Sequence, residues 1–222
     1  ILMKWFGEKG IELAGIFGGL VSSTAVTTSF AARSKKEKKL LMSLVLGVIL
    51  ANSIMFIRIL IEVFVINRTL LPKMIIPMSI LFLVSLVFSY FLFRKATQVK
   101  KHKLDLGSPF TLKPALKFGI FFAVILALVK LADVYLSSKG VYLVSFISGF
   151  ADVDAITVSL SQLAKKDLAL DIAQNGIMIA ALTNVAVKGG IAYLFGSKEF
   201  GRLVLALFFA LILVGLGVVW LF

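Results

Sequence analysis

Five stretches of this chain, 40–66, 74–93, 115–136, 171–195 and 203–222, run apolar for about 20 residues or more, enough as helix to cross roughly 30 Å of hydrocarbon. Inside a bilayer the backbone finds no water, so a crossing segment must bond to itself as a helix or close into a barrel. These runs are too long and too uniformly apolar for barrel strands, which alternate in polarity. The expected fold class is therefore all-α, a polytopic transmembrane helical bundle. Composition narrows the chemistry. The chain has no cysteine and one histidine, His102, in a basic loop, which excludes disulfides and speaks against a zinc, copper or iron–sulfur centre. Its net charge of +13 sits in loops between the apolar runs, where the positive-inside rule accounts for it. No aromatic-interleaved basic surface suggests a nucleic-acid partner. The opening "ILMKWFGEKG" lacks the basic n-region and cleavage site of a signal peptide, and reads as the tail of a helix begun before Ile1.

The second constraint is an internal repeat. Shifted by 130 positions, "KGIELAGIFGGLVSSTAVTTSFAARSKKEKKL" (9–40) aligns without a gap on "KGVYLVSFISGFADVDAITVSLSQLAKKDLAL" (139–170). Lys9, Gly10, Leu13, Gly19, Ala25, Thr27, Ser29, Lys35, Lys36 and Leu40 each meet an identical residue. The same offset pairs Ala51 with Ala181, Ser53 with Thr183 and Arg58 with Lys188. Two repeats of about 130 residues follow, 1–107 with membrane helices near 11–33, 40–66 and 74–93, and 108–222 with helices near 115–136, 141–164, 171–195 and 203–222. The first repeat lacks a counterpart of 115–136, so its first helix is expected to be truncated.

The basic loops 33–39 and 94–103 belong in the cytoplasm and 67–73 outside. If 11–33 and 141–164 span, the repeats are parallel and 164–167 is cytoplasmic too; if they are re-entrant, the repeats are inverted. Both occur among transporters. Length and basic ends favour the parallel arrangement.

Charge buried in lipid carries the functional reading. Asp152 and Asp154 lie near the middle of 141–164, where a carboxylate costs about 3 kcal/mol and cannot snorkel. On a continuous helix they point about 200° apart, so either each faces a different way or the segment is broken and both converge. A break is tolerated at Gly149, or at Gly18 and Gly19 in the matching segment. Thr157 and the block Ser22, Ser23, Thr24 and Thr27 add hydroxyls, and this acceptor set suits a hard cation or a proton. Asn52 and Asn184 sit at similar depth and either bridge helices or line the site. Arg58, with Glu62 four residues on, and Lys188 are candidate charge partners; Lys130 and Asp133 form an i,i+3 pair. The Arg58–Glu62 and Lys130–Asp133 pairs lie toward helix ends, which favours snorkelling structural pairs, while Arg58 and Lys188 are each also read as neutralising an Asp or helping to bind an anion. The small-residue faces of the two motif segments suggest an inner, mutually packed pair.

The blocks "GIFGGLVSSTAVTTSFAARS", "SGFADVDAITVSLSQLA" and "ALTNVAVKGGIAYLFG" resemble a bacterial and archaeal membrane domain of unknown function, commonly C-terminal to an MgtC/SapB-type domain. The resemblance implies a multi-pass protein of the cell (inner) membrane with a fused or associated MgtC-type domain, and a link to magnesium homeostasis. It brings no binding residues. The leading expectation is a transport module for a small cation, either a divalent metal such as magnesium held by Asp152 and Asp154 or a proton-coupled ion, with no cofactor beyond a bound cation. A non-transporting regulatory or assembly domain, alone or as a homodimer, is the alternative. An intramembrane enzyme is less favoured, because a protease dyad draws its acids from two segments and the first half has no matching Asp.

Overall fold

The computed structural model describes residues 9–96 and 139–221, and among them every regular element is a helix. In chain order these are α1 (Lys9–Ser34), a 3-10 turn (Lys38–Leu40), α2 (Leu41–Ile66), α3 (Leu71–Ala96), α4 (Lys139–Ala151), α5 (Asp154–Leu163), α6 (Leu170–Phe195) and α7 (Lys198–Leu221). The expected helix at 115–136, with Lys130 and Asp133, and the loop holding His102 lie outside the described residues. Five helices, α1, α2, α3, α6 and α7, are long and apolar enough to cross a membrane by length and composition, and with α2, α3, α6 and α7 unbroken this is a multi-pass helical membrane protein. At 1.5 Å per residue, the 26 residues of α2, α3 and α6 each extend about 39 Å, room for a tilted crossing.

α1 does not run straight. Ser22 is extended, with φ −164° and ψ 108°. A Cβ placed on Gly18 would lie 2.6 Å from Val26 Cγ2, whereas eight residues of straight helix separate such positions by about 12 Å. Gly47 of α2 touches Ile11 and Phe30 and lies against Gly15, so residues on both limbs of α1 reach the same turn of α2. The α4–α5 segment repeats this shape. Gly176 of α6 meets Val141 and Ser145 of α4 and Leu160 of α5 at one point. Both motif segments are helical hairpins, one with its tip at Ser22 and the other at Asp152–Val153. The expectation that 11–33 and 141–164 each span as rods is corrected here; the fold-back alternative is the one these contacts require.

The direction of each hairpin follows from the helix ends. Ser34, closing α1, accepts a hydrogen bond from the Ser197 N–H in the α6–α7 turn at 2.8 Å. Thus α6 ends where the first hairpin opens and α2 begins. Asn67, directly after α2, donates through Nδ2 to the Ser161 carbonyl of α5 at 3.1 Å, and Lys73 pairs with Asp171 in the first turn of α6 at 2.5 Å. Thus α6 begins where α2 ends. In the first unit α2 leaves and α6 reaches the open end of the hairpin; in the second unit α6 leaves and α2 reaches it. These contacts bring loops 67–73 and 164–167 to the same end of the second unit, where the parallel arrangement expected them on opposite faces.

Contacts divide the chain into two compact units, Ile1–Arg58 with Ser79–Gly107 and Val185–Val214, and Ile59–Met78 with Ser108–Asn184 and Gly215–Phe222. Each unit holds one hairpin, seated by small residues that let backbones approach where lipid supplies no hydrophobic drive. In the first unit Gly15 and Gly19, four apart, face Gly47 and Ala51; a Cβ on Gly19 would come within 2.7 Å of the Ala51 Cα. In the second, Ser145 and Gly149 face Gly176 and Ala180; a Cβ on Gly149 would sit 2.6 Å from the Ala180 carbonyl oxygen. Ala51 and Ala180 stand near the midpoints of α2 and α6, so both tips lie at about half the depth of the helix they rest on. The inner helices are α2 and α6, with 67% and 61% of their most apolar stretch buried, against 33% for the first hairpin. The first motif segment is thus less buried than expected of an inner helix, whereas α5 of the second has seven of its ten residues buried; the small-residue faces fit the hairpins onto α2 and α6.

Candidate functional site at the hairpin tips

Turning a helix back at mid-depth frees backbone groups that lipid cannot satisfy. At the first tip Ser22 Oγ accepts from the Ala25 N–H at 3.2 Å, acting as N-cap of the returning limb. The Gly19 carbonyl, three residues before the break, takes Arg58 Nη1 from α2 at 3.2 Å. Thr27 Oγ1 donates to the Ser23 carbonyl and Thr28 Oγ1 to that of Thr24, each at 2.9 Å.

Against this tip lies Lys188 of α6, wholly buried. Its Nζ donates to Asn52 Oδ1 at 2.5 Å, Ser23 Oγ at 3.1 Å and Met55 Sδ at 3.2 Å. An ammonium carries three donors, and these three acceptors lie within reach of it. A lysine can only donate, which fixes the Asn52 amide with its oxygen inward and leaves Asn52 Nδ2 buried and without a hydrogen-bond partner among the described residues. Arg58 reaches a freed carbonyl and Lys188 a buried polar cluster.

The second tip uses other residues for the same purposes. Asp152 Oδ1 accepts from the Asp154 N–H at 3.2 Å, and Ser148 Oγ donates to the Asp152 carbonyl at 3.3 Å. Asn184 Nδ2 of α6 donates to the Gly149 carbonyl at 3.0 Å, and Thr157 Oγ1 to that of Val153 at 2.8 Å. Asp154 is buried in the first turn of α5, where the helix dipole favours a carboxylate; Asp152 is partly exposed.

Ser22 and Asp152, Gly19 and Gly149, and Thr27 and Thr157 are each 130 positions apart and do matching work. In the long helices the spacing is 129: Leu41 and Leu170 open α2 and α6, and Gly47 with Gly176 and Ala51 with Ala180 seat the hairpins. At that spacing Arg58 falls on Val187, one residue before Lys188. A shift of one residue turns a helix face by about 100°, which is why Arg58 and Lys188 serve different ends.

Of the residues singled out from sequence, Ser22, Ser23, Asn52, Arg58 and Lys188 come together in the first unit, with Thr24 and Thr27 on the same limb. Asp152, Asp154, Thr157 and Asn184 come together in the second, and Glu62 lies in that unit's share of α2. No group of three or more His, Cys, Asp or Glu that could hold a metal occurs among the described residues, so Asp152 and Asp154 would need hydroxyl, carbonyl or water oxygens to complete a shell. Sequence reasoning missed Met55 and the two capped glycine carbonyls. The glycines were visible; their carbonyls acquire a role only once the chain folds back.

An uncharacterized protein of Aquifex aeolicus (strain VF5) is 33% identical to this chain over 202 residues, 89% of this chain and 87% of that one. No solved structure matches. A family described as Domain of unknown function (DUF4010) matches residues 1–196, and this chain belongs to that family.

Proposed function

We propose that the protein is a membrane transport module for a small cation, built as an inverted repeat in which each half contributes a re-entrant hairpin. The carrying observation is the pair of fold-backs at Ser22 and Asp152, with polar and charged side chains at half helix depth. Non-helical backbone at that depth is tolerated where it lines protein or a polar cavity, and inverted repeats with broken helices are a recurring transporter design. Ser22–Thr24 with Asn52, and Asp152 and Asp154 with Thr157, supply the acceptors a cation or proton needs along its way. With only two carboxylates at one tip, the chemistry favours a proton, a monovalent cation or a partly hydrated divalent ion over a stripped magnesium ion.

Lys and Arg crowd the end where the first hairpin opens (Arg33–Lys39, Arg94, Lys95, Lys198, Arg202), against Arg68, Lys73, Lys139, Lys165 and Lys166 at the other. That asymmetry supports a reading in which the first hairpin opens to the cytoplasm of a bacterial inner membrane. An assembly role beside an MgtC-type domain loses its main support, since the small-residue faces are used within the chain. No enzymatic reaction is assigned.

The test is flux of protons, sodium, potassium and magnesium in proteoliposomes of the purified chain. Asp152→Asn and Asp154→Asn, both folded, should lose flux at least about tenfold if each stabilises the ion by some 1.4 kcal/mol in passage. Wild-type flux in both variants removes the site, and no flux of any ion by the wild type removes the transport reading.

A further inference from the structure

We propose that the open end of the first hairpin carries a binding site for an anionic phospholipid, whose phosphate is held by Lys35, Lys36, Lys198 and Arg202. The inference stands apart from the transport reading and holds whether or not the chain moves an ion. It starts from the hydrogen bond between the Ser197 N–H and Ser34 Oγ, 2.8 Å long. Lys35 directly follows one partner and Lys198 the other, so two basic segments are brought together within one unit. Lys36 follows Lys35, and Arg202 lies one turn along α7 from Lys198, on the same face. All four side chains are exposed. Of the two acids in these segments, Glu37 is taken by Arg33 at 2.8 Å, which leaves Glu199 against four cations. Like charges gathered in one place repel, and an anion from outside the chain relieves that repulsion.

Below the cations the surface turns apolar. Gly201 of α7 seats against the Tyr193 backbone and Leu205 reaches Gly189, which packs α6 and α7 together beneath Lys198 and Arg202. Tyr193 and Leu194, in the last turn of α6, and Leu205, one turn below Arg202, nevertheless stay exposed. A Cβ on Gly190 would meet no atom of the described residues within 4 Å, which leaves a notch one turn beneath Leu194. Cations at the rim, an aromatic ring at the interface and an apolar notch beneath match, in that order, the phosphate, glycerol and acyl chain of a phospholipid. The open end of the second hairpin offers less free charge: Lys73 is paired with Asp171, and Asp167 follows Lys165 and Lys166.

The test is thermal unfolding of the purified chain in a neutral detergent, with dioleoylphosphatidylglycerol added against equal dioleoylphosphatidylcholine. The anionic lipid should raise the midpoint by about 3–6 °C at ten times its dissociation constant, and glycerol phosphate at the same concentration should not. Lys198→Gln/Arg202→Gln should need at least about tenfold more phosphatidylglycerol for the same shift. The same change at the other end, Lys165→Gln/Lys166→Gln, should leave the response as in wild type. Equal midpoints in the two lipids, an equal response to glycerol phosphate, an unweakened response in Lys198→Gln/Arg202→Gln, or equal weakening by both double variants overturns the proposal. Should the α7 variant not fold, Lys35→Gln/Lys36→Gln in the exposed loop takes its place, with the same tenfold weakening expected and an unweakened response again overturning the proposal.

Discussion

Gly18→Ala is the most discriminating single change, because its cost exists only if α1 folds back. The new methyl would lie 2.6 Å from Val26 Cγ2, about 0.8 Å inside the 3.4 Å where ordinary contact begins. Val26 is buried and β-branched in a helix, where one χ1 rotamer dominates, so it cannot swing clear. Overpacking of this kind costs about 1–3 kcal/mol. In a Val26→Ala background the obstruction is gone, and the same Gly→Ala change should be neutral or stabilise by about 0.5–1 kcal/mol through helix propensity. The double-mutant cycle should therefore show the two positions coupled by about 1–3 kcal/mol, the double variant being more stable than additivity allows. Reversible unfolding in mixed micelles of rising denaturing-detergent fraction measures all four corners. Additivity within about 0.5 kcal/mol would refute the fold-back, since residues eight apart on a straight helix share no contact.

Other outcomes follow from the same contacts. Asn184→Leu strands the Gly149 carbonyl and should destabilise by about 1–3 kcal/mol in the same unfolding assay; a neutral result would mean that the cap at the second tip is dispensable. Ser22→Ala removes an N-cap and should cost about 0.5–2 kcal/mol, while Ser22→Asn should restore most of it; equal stability of the two variants would contradict the capping role. The Lys73–Asp171 pair is exposed, so Asp171→Asn should change stability by less than about 1 kcal/mol. Lys73→Cys with Asp171→Cys should nevertheless cross-link on mild oxidation, and two cysteines that stay free would place those helix ends apart.

The class of the fold was legible in sequence because lipid admits so few backbone solutions: the apolar runs correspond to α2, α3, α6 and α7 within a few residues. The breaks at Ser22 and Asp152 were also within reach, since glycines and short polar residues gather there at matched positions. What could not be read was whether each motif segment crosses or returns. Length alone permits both, and the deciding contacts, Gly18 with Val26 and Gly176 with both Ser145 and Leu160, are tertiary. Basic residues misled in the same way: Lys165 and Lys166 resemble Lys35 and Lys36 in sequence, yet Asn67 and Lys73 tie their loop to the one that follows α2. The partnership of Lys188 with Asn52 was hidden by the ungapped offset, which matched Lys188 to Arg58. One residue of slip between hairpin and long helix turns that lysine toward a different neighbour.

The inverted arrangement proposed for the two hairpins is the central claim, and single-cysteine topology tests it most directly. The chain has no cysteine, so Lys36→Cys and Lys166→Cys each report alone. With a membrane-impermeant maleimide applied to spheroplasts and to inverted vesicles, position 36 should label only in inverted vesicles and position 166 only in spheroplasts. Labelling of both from the same side would contradict the inverted arrangement.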